Sequence, residues 1–275
     1  MKVDLLYLAC NRLHYARHSL PRLLADPQED FTLTIWDNAS KDGSQDFFAS
    51  VNDPRIVQKV FSPENVPVHN VLNKFVGESK ADLIGFVAED LLVTPGWVRT
   101  LTRAHQDVPE FGRVACWHLK PEAFDYERAR HKLQQFGGHT ILRHPWTNGC
   151  GLTKRTVFLR TGPFVPGEGE SRYWIRTALQ GFVLGFYYPL ICVEHMDDPW
   201  TEHFAFKGQF DKWLSQSGTA RNLGLRDLED AEAWHREIVR NLLCDPWRAQ
   251  AYVGWRRQVR RVTDKIRRTL TGSRF

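Results

Sequence analysis

Apolar and polar positions change period several times in the first ninety residues. Residues 3–8 form a short, mostly apolar run that predicts a strand. Leu13, Leu20, Leu23 and Leu24 follow at helical spacing, predicting a helix over 13–24. Phe31, Leu33 and Ile35 alternate with polar positions over 31–36, as in a half-buried strand. Residues 37–43 concentrate Asp, Asn, Ser and Gly, which is turn chemistry. The pattern then predicts a helix at 45–51, a strand at 56–61, a helix at 66–77 and a buried strand at 83–87. Thr94 as N-cap and Pro95 in the first helical position predict the next helix. Strands and helices alternating at this spacing imply an α/β fold with a parallel sheet and right-handed crossovers.

The second half is less regular. Strands are expected at 114–118 and 149–152, and a helix at 153–160. Residues 121–145 are polar and contain Gly137-Gly138, which reads as an insertion or mobile loop. A helix over 171–180 and an aromatic, β-branched strand or hairpin over 182–193 follow. Three helices are expected at 204–217, 226–243 and 246–271.

Charge changes this picture at one end only. The chain has a net charge of +5, yet residues 248–275 hold nine basic side chains against one acid, leaving −3 for the rest. A nucleic-acid partner for the whole protein is therefore not expected. Five cysteines, widely spaced and odd in number, support neither a zinc knuckle nor a disulfide framework. A reducing cytoplasm is the simplest compartment. No apolar run approaches the length of a spanning helix, and residues 1–10 lack the features of a signal peptide.

In parallel α/β sheets ligands bind beyond the carboxyl ends of the strands. Three polar clusters fall there: Cys10-Asn11-Arg12, Asp37-Asn38-Ala39-Ser40 and Glu89-Asp90. Their wording resembles the inverting family 2 of nucleotide-sugar glycosyltransferases, which have the GT-A fold. Leu8-Ala9-Cys10-Asn11-Arg12 resembles the family's T-Y-N-R opening. Trp36 to Gly43 is similar to V-D-N-G-S-x-D-G, and the stretch from Asn65 to Asn73 is similar to the N-x-G…N segment. Phe86-Val87-Ala88-Glu89-Asp90, followed by Pro95-Gly96-Trp97, resembles the D-x-D region. Thr161-Gly162-Pro163-Phe164 and residues 167–176 are similar to the x-G-G-F and E-D…R segments. The resemblance spans residues 1–196, about 70% of the chain.

It implies a Rossmann-like, mostly parallel sheet flanked by helices, with a helical C-terminal extension. Residues 1–203 would be the catalytic domain, with a nucleotide-sugar half (1–112) and an acceptor half (113–203), and 204–275 the extension. It also implies an inverting hexosyltransferase that moves a sugar from a UDP or dTDP donor to a hydroxyl, in cell-surface polysaccharide or lipopolysaccharide synthesis. Ala9, Asn11, Arg12, Asp37, Asn38, Asn73, Ala88, Glu89 and Asp90 would line the donor site. Asp37 would accept a pyrimidine N3–H, although an Asx-turn alone also accounts for it. Asp90 would hold Mn²⁺ or Mg²⁺ against the diphosphate, with His195 as a further ligand. Ala88 replaces the first carboxylate of the motif. Glu170 matches the general base, and also suits a helix N-terminus. Glu168, Trp174, Asp198 and Trp200 would face the acceptor.

Residues 247–271 set Tyr252, Trp255, Val259, Val262, Ile266 and Leu270 three or four apart, with arginines on the other faces. Such a helix suits the anionic inner face of a membrane and a glycan or lipid-linked acceptor. A helix docked on the catalytic domain with a solvated basic face is the other reading. Three other functions fit parts of the chain. A metal-independent transferase is suggested by Ala88, and a non-catalytic nucleotide- or glycan-binding module by a degenerate site. A sugar nucleotidyltransferase would need a Gly-rich, Lys-containing loop that residues 10–13 lack.

Overall fold

The computed structural model describes residues 1–271 and 274. Its first half is β1 (Val3–Ala9), α1 (Leu13–Leu23), β2 (Thr32–Asp37), α2 (Ser44–Ser50), β3 (Ile56–Phe61), α3 (Val68–Glu78), β4 (Leu83–Ala88) and β5 (Leu91–Leu92). There follow α4 (Trp97–Asp107), β6 (Phe111–Ala115), α5 (Tyr126–Ala129), β7 (Leu133–Phe136), β8 (His139–Arg143), β9 (Gly151–Lys154), α6 (Arg155–Thr161), α7 (Glu170–Leu179), β10 (Val183–Tyr188) and β11 (Glu194–His195). Four helices complete it: α8 (Phe210–Gln216), α9 (Gly218–Leu223), α10 (Leu228–Cys244) and α11 (Gly254–Thr271).

Nine strands form one twisted sheet in the order β3-β2-β1-β4-β9-β6-β10-β8-β7. The pairs from β3 to β4 are parallel, as the alternation of periods predicts. The second half is mixed: β9 runs antiparallel between β4 and β6, and β10 returns parallel to β6. Apolar residues of α1, α2 and α4 (Leu20, Phe48, Trp97, Leu101) cover one face. Those of α3, α6 and α7 (Phe75, Phe158, Trp174) cover the other. Helix α10 closes the β6–β8 end with Val239, Leu242 and Leu243.

Several expectations change. Residues 121–145 are not a loop. They hold α5 and the β7–β8 hairpin, which extends the sheet edge, and Gly137 and Gly138 (φ 50° and 87°) make its turn. The helix expected at Pro95 starts at Trp97, after Gly96 at φ 85°. Its first amides, those of Val98 and Arg99, donate to the Glu29 carboxylate (3.4 and 3.1 Å), while Thr94 Oγ1 donates to the Cys192 carbonyl (2.5 Å). The terminal region also has a helix that the sequence pattern does not separate, α9, and a break at Gly254 (φ 57°) where a continuous helix from 246 was expected.

Candidate active site

The register of the parallel strands aligns their carboxyl ends. Ala9 pairs with Asp37 across β1–β2, and Leu8 with Ala88 across β1–β4. The loops that leave these ends are laced together. Asn11 N–H donates to Ser40 Oγ (2.8 Å), Lys41 N–H to Asn11 Oδ1 (2.7 Å) and Cys10 Sγ to the Asn38 carbonyl (3.3 Å). Asn11 (φ 55°) and Ala39 (φ 66°) hold the left-handed conformation that favours glycine, a local strain set beside the site.

Asp37 is fully buried. Its Oδ1 accepts from the Ser40 amide (2.9 Å) and Gln45 Nε2 (3.0 Å), whereas its Oδ2 is buried with no hydrogen-bond partner among the described residues. A buried carboxylate oxygen without a donor is costly unless a ligand supplies one. Asn38 spends its amide on Asn65 Oδ1 (2.7 Å) and both backbone groups of Val66 (2.8 and 2.9 Å), fixing the approach to α3.

After β4 an acidic cluster forms around one guanidinium. Arg12 Nη1 lies 2.6 Å from Asp90, Nη2 3.3 Å from Asp197 and Nε 3.9 Å from Glu89. The short β5–β11 ladder pairs Leu91 with His195 and so delivers the imidazole. His195 Nε2 is 3.6 Å from Asp90, and Nδ1 is 2.8 Å from Asp198. Burial and the adjacent Asp90 push the Glu89 carboxyl up. Burial works on Asp90 in the same sense, but His195 and Arg12 outweigh it and hold Asp90 down. Burial alone would depress His195; Asp198 and Asp90 reverse that and raise it well above its ordinary value.

Among the described residues no three His, Cys, Asp or Glu side chains form a ready-made cation cage. The donor set nevertheless fits a hard divalent ion: Asp90 and His195 supply two adjacent ligands, and Mg²⁺ is ordinarily held by one or two carboxylates plus substrate phosphates.

On the other side of β4, Glu170 is the first residue of α7. Its Oε1 accepts from Trp174 Nε1 (3.0 Å) and stands 4.0 Å from Arg113 Nη2. Its side chain is 43% exposed at the mouth of a cavity of about 190 Å³. Leu8, Phe86, Ala88, Gly149 and Trp174 line that cavity with it, so the motif strand β4 and the candidate base share one cleft. Loss of water around its carboxyl pushes Glu170 up, opposed by Arg113, Trp174 and the Gly149 amide. A second cavity, about 460 Å³, is lined by Thr94, His118, Lys120, His195, Asp198 and Trp200. Trp200 has Lys120 Nζ 4.5 Å above its ring and the His235 ring 4.5 Å away.

Other expected residues have structural work. Asn73 clamps the Phe164 backbone at N–H and carbonyl (2.9 and 2.8 Å). Glu168 accepts a fork from Arg176 (3.0 and 2.8 Å). Trp174 is fully buried, with its indole N–H aimed at Glu170. The sequence reading missed Gln45 and Arg113. Arg113 is 1% exposed, lies 4.3 Å over the Trp174 ring and donates to Thr147, Gly149 and Thr153. A lone arginine inside the apolar strand Phe-Gly-Arg-Val-Ala was the available signal.

This strand order, the aligned carboxyl ends and the small β5–β11 ladder define a GT-A nucleotide-sugar transferase fold. The family model for glycosyl transferase family 2 matches residues 6–160, more than half of the chain, and the protein belongs to that family. It is a glycosyltransferase. Among solved structures, the mannosyltransferase PcManGT from Pyrobaculum calidifontis, in complex with GDP-Man and Mn²⁺, is 16% identical over 96% of this chain and 79% of its own, with a TM-score of 0.58. TarS 1–349 of S. aureus, in complex with UDP-GlcNAc, is 12% identical over 92% and 84%, with a TM-score of 0.54. A search of curated protein sequences gives no match.

Proposed function

We propose that the protein is an inverting hexosyltransferase. It would move a sugar from a UDP or dTDP donor to a hydroxyl of a glycan or lipid-linked acceptor, from the cytoplasmic side, in cell-surface polysaccharide or lipopolysaccharide synthesis. The observation that carries this reading is the shared cleft: Glu170 opens onto the cavity that also holds Ala88 and Leu8, the carboxyl ends of β4 and β1.

In this reading Asp37 Oδ2 accepts the imide N3–H of the pyrimidine, the contact that relieves its buried oxygen. Ala9, Asn11 and Asn38 shape the wall for the ribose through the laced loops. Arg12 faces the diphosphate and pairs with Asp90 and Asp197, which holds both carboxylates in place. Asp90 and His195 would hold Mn²⁺ or Mg²⁺, which when bound offsets the charge gathering on the departing diphosphate. Glu170 takes the acceptor hydroxyl proton as that oxygen bonds to the anomeric carbon. The bond from that carbon to the diphosphate breaks on the opposite face, the diphosphate keeps the electron pair, and the configuration inverts. Trp200 and Asp198 in the larger cavity, and Trp174 bonded to Glu170, belong to the acceptor side, whereas Glu168, expected there, is held by Arg176.

The test is a thermal-shift comparison of UDP, dTDP, GDP and ADP, each with and without Mn²⁺. A pyrimidine diphosphate at about a hundred times its Kd should stabilise the fold by about 2.7 kcal/mol. Asp37→Ala should abolish that gain. Stabilisation by GDP or ADP alone would overturn the pyrimidine assignment.

A further inference from the structure

Helix α11 is amphipathic in an inverted sense. Trp255 (70% exposed), Val259 (52%), Val262 (58%), Ile266 (54%) and Leu270 (81%) all face solvent. At 100° per residue they occupy an arc of roughly 80°. The opposite face carries Arg260, Asp264 and Arg267, and this charged face is the one turned to the body. Arg260 pairs with Asp245, and Arg267 pairs with Glu237 on α10. Arg260 also lies 4.6 Å over the Tyr252 ring. Helix α10 has meanwhile turned its own apolar residues, Val239, Leu242 and Leu243, into the core. No residue of α11 belongs to any of the four apolar clusters.

The reading of a docked helix with a solvated basic face therefore fails. The ion pairs fix which way α11 is turned, and what they turn outward is apolar. Arg256 flanks the stripe on one side and Lys265 on the other, both exposed. No helix among the described residues is long and apolar enough to cross a membrane.

We propose that the outward face of α11 docks on an anionic membrane surface, with the five apolar side chains entering the headgroup boundary and the flanking cations meeting lipid phosphates. Charge complementarity selects this occupant over a second copy of the chain. A self-complementary helix pair would bring the flanking cations Arg256 and Lys265 of both copies together, and Asp264, the only acid on α11, faces the body near Arg260 (3.8 Å). Anionic lipid rewards both features at once, because apolar burial and cationic attraction act on the same stripe.

This deepens the proposed function by naming the surface on which a lipid-linked acceptor would be met. Vesicle binding is measured without turnover, so it can fail or succeed independently of the transferase reading. The full chain is mixed with vesicles of phosphatidylcholine alone, or with about 30% phosphatidylglycerol, and floated on a density gradient. We expect at least tenfold more binding to the anionic vesicles, weakened severalfold in 0.5 M NaCl. Val262→Asp with Ile266→Asp should lose that binding at an unchanged Tm, because both sites are exposed; Arg256→Glu with Lys265→Glu should lower it severalfold. No binding to anionic vesicles, binding that the double aspartate variant retains, or a solution dimer that this variant splits would each overturn the proposal.

Discussion

Arg113 is a full charge placed inside a strand, with Glu170 as the nearest acid, 4.0 Å away. Burial pulls the guanidinium below its ordinary range, and Glu170 opposes that. The pair fixes a pH response. Desolvation raises the Glu170 carboxyl, and the Arg113 charge limits the rise. A general base works only when ionised, so kcat/KM should fall as pH drops through a value above the usual glutamate range. Arg113→Met removes the opposing charge and should move that acid limb to higher pH. Arg113→Lys should move it back in part, and Glu170→Gln should cost about 10²–10⁴ in rate at every pH. A pH–rate series on the three variants checks this; a lower plateau with an unmoved limb would leave Arg113 with packing alone. The placement of Asp37 and Asp90 at strand ends was legible because β2 and β4 read as buried apolar runs. Arg113 was not, since its strand reads as apolar and its partners are distant in sequence: Thr147 and Gly149 from the loop before β9, and Thr153 from β9 itself. Nor does sequence show that Asn73 and Glu168 are taken up by Phe164 and Arg176.

At the scale of elements, α4 shows where local rules give way to the fold. Thr94 and Pro95 have the composition of a helix start, yet the Thr94 hydroxyl bonds to the Cys192 carbonyl. The orphan amides of Val98 and Arg99 are met by Glu29, which lies before β2 and reaches them only once the sheet has formed. Glu29 is 3% exposed, and its removal strands both donors. Glu29→Ala should therefore destabilise the fold by about 1–2 kcal/mol in urea unfolding, with Glu29→Gln intermediate. The first four strands were readable because β1, β2 and β4 are buried and spaced by amphipathic helices. The β7–β8 hairpin was not, being an edge pair of four and five residues whose positions are mostly half-exposed. Its one local sign was the Gly137-Gly138 turn.

Taken whole, the molecule is electrically divided: residues 248–275 carry strong positive charge, and the remainder is slightly acidic. Helix α11 meets the remainder through ion pairs rather than a shared core, which bears on how far it belongs to the folding unit. Three arginines beyond Val253 reach the body, Arg260 to Asp245, Arg267 to Glu237 and Arg274 to Asp230. Each of those carboxylates also has a second arginine that precedes α11. Asp245 keeps Arg240 at 3.7 Å, Glu237 keeps Arg240 at 3.0 Å and Asp230 keeps Arg226 at 2.9 Å. A chain ending at Tyr252 would thus leave no acid without a partner and open no apolar cluster. Partly exposed ion pairs contribute about 0–1 kcal/mol each, so losing these three should cost the shortened protein no more than about 3 kcal/mol and about 10 °C in Tm. Nucleotide-induced stabilisation should be retained, because Asp37, Asp90 and Glu170 lie wholly within the body, while vesicle binding should vanish. Calorimetry and flotation on the same sample separate these outcomes. A large fall in Tm would mean that α11 is part of the folding unit rather than an appendage held by charge.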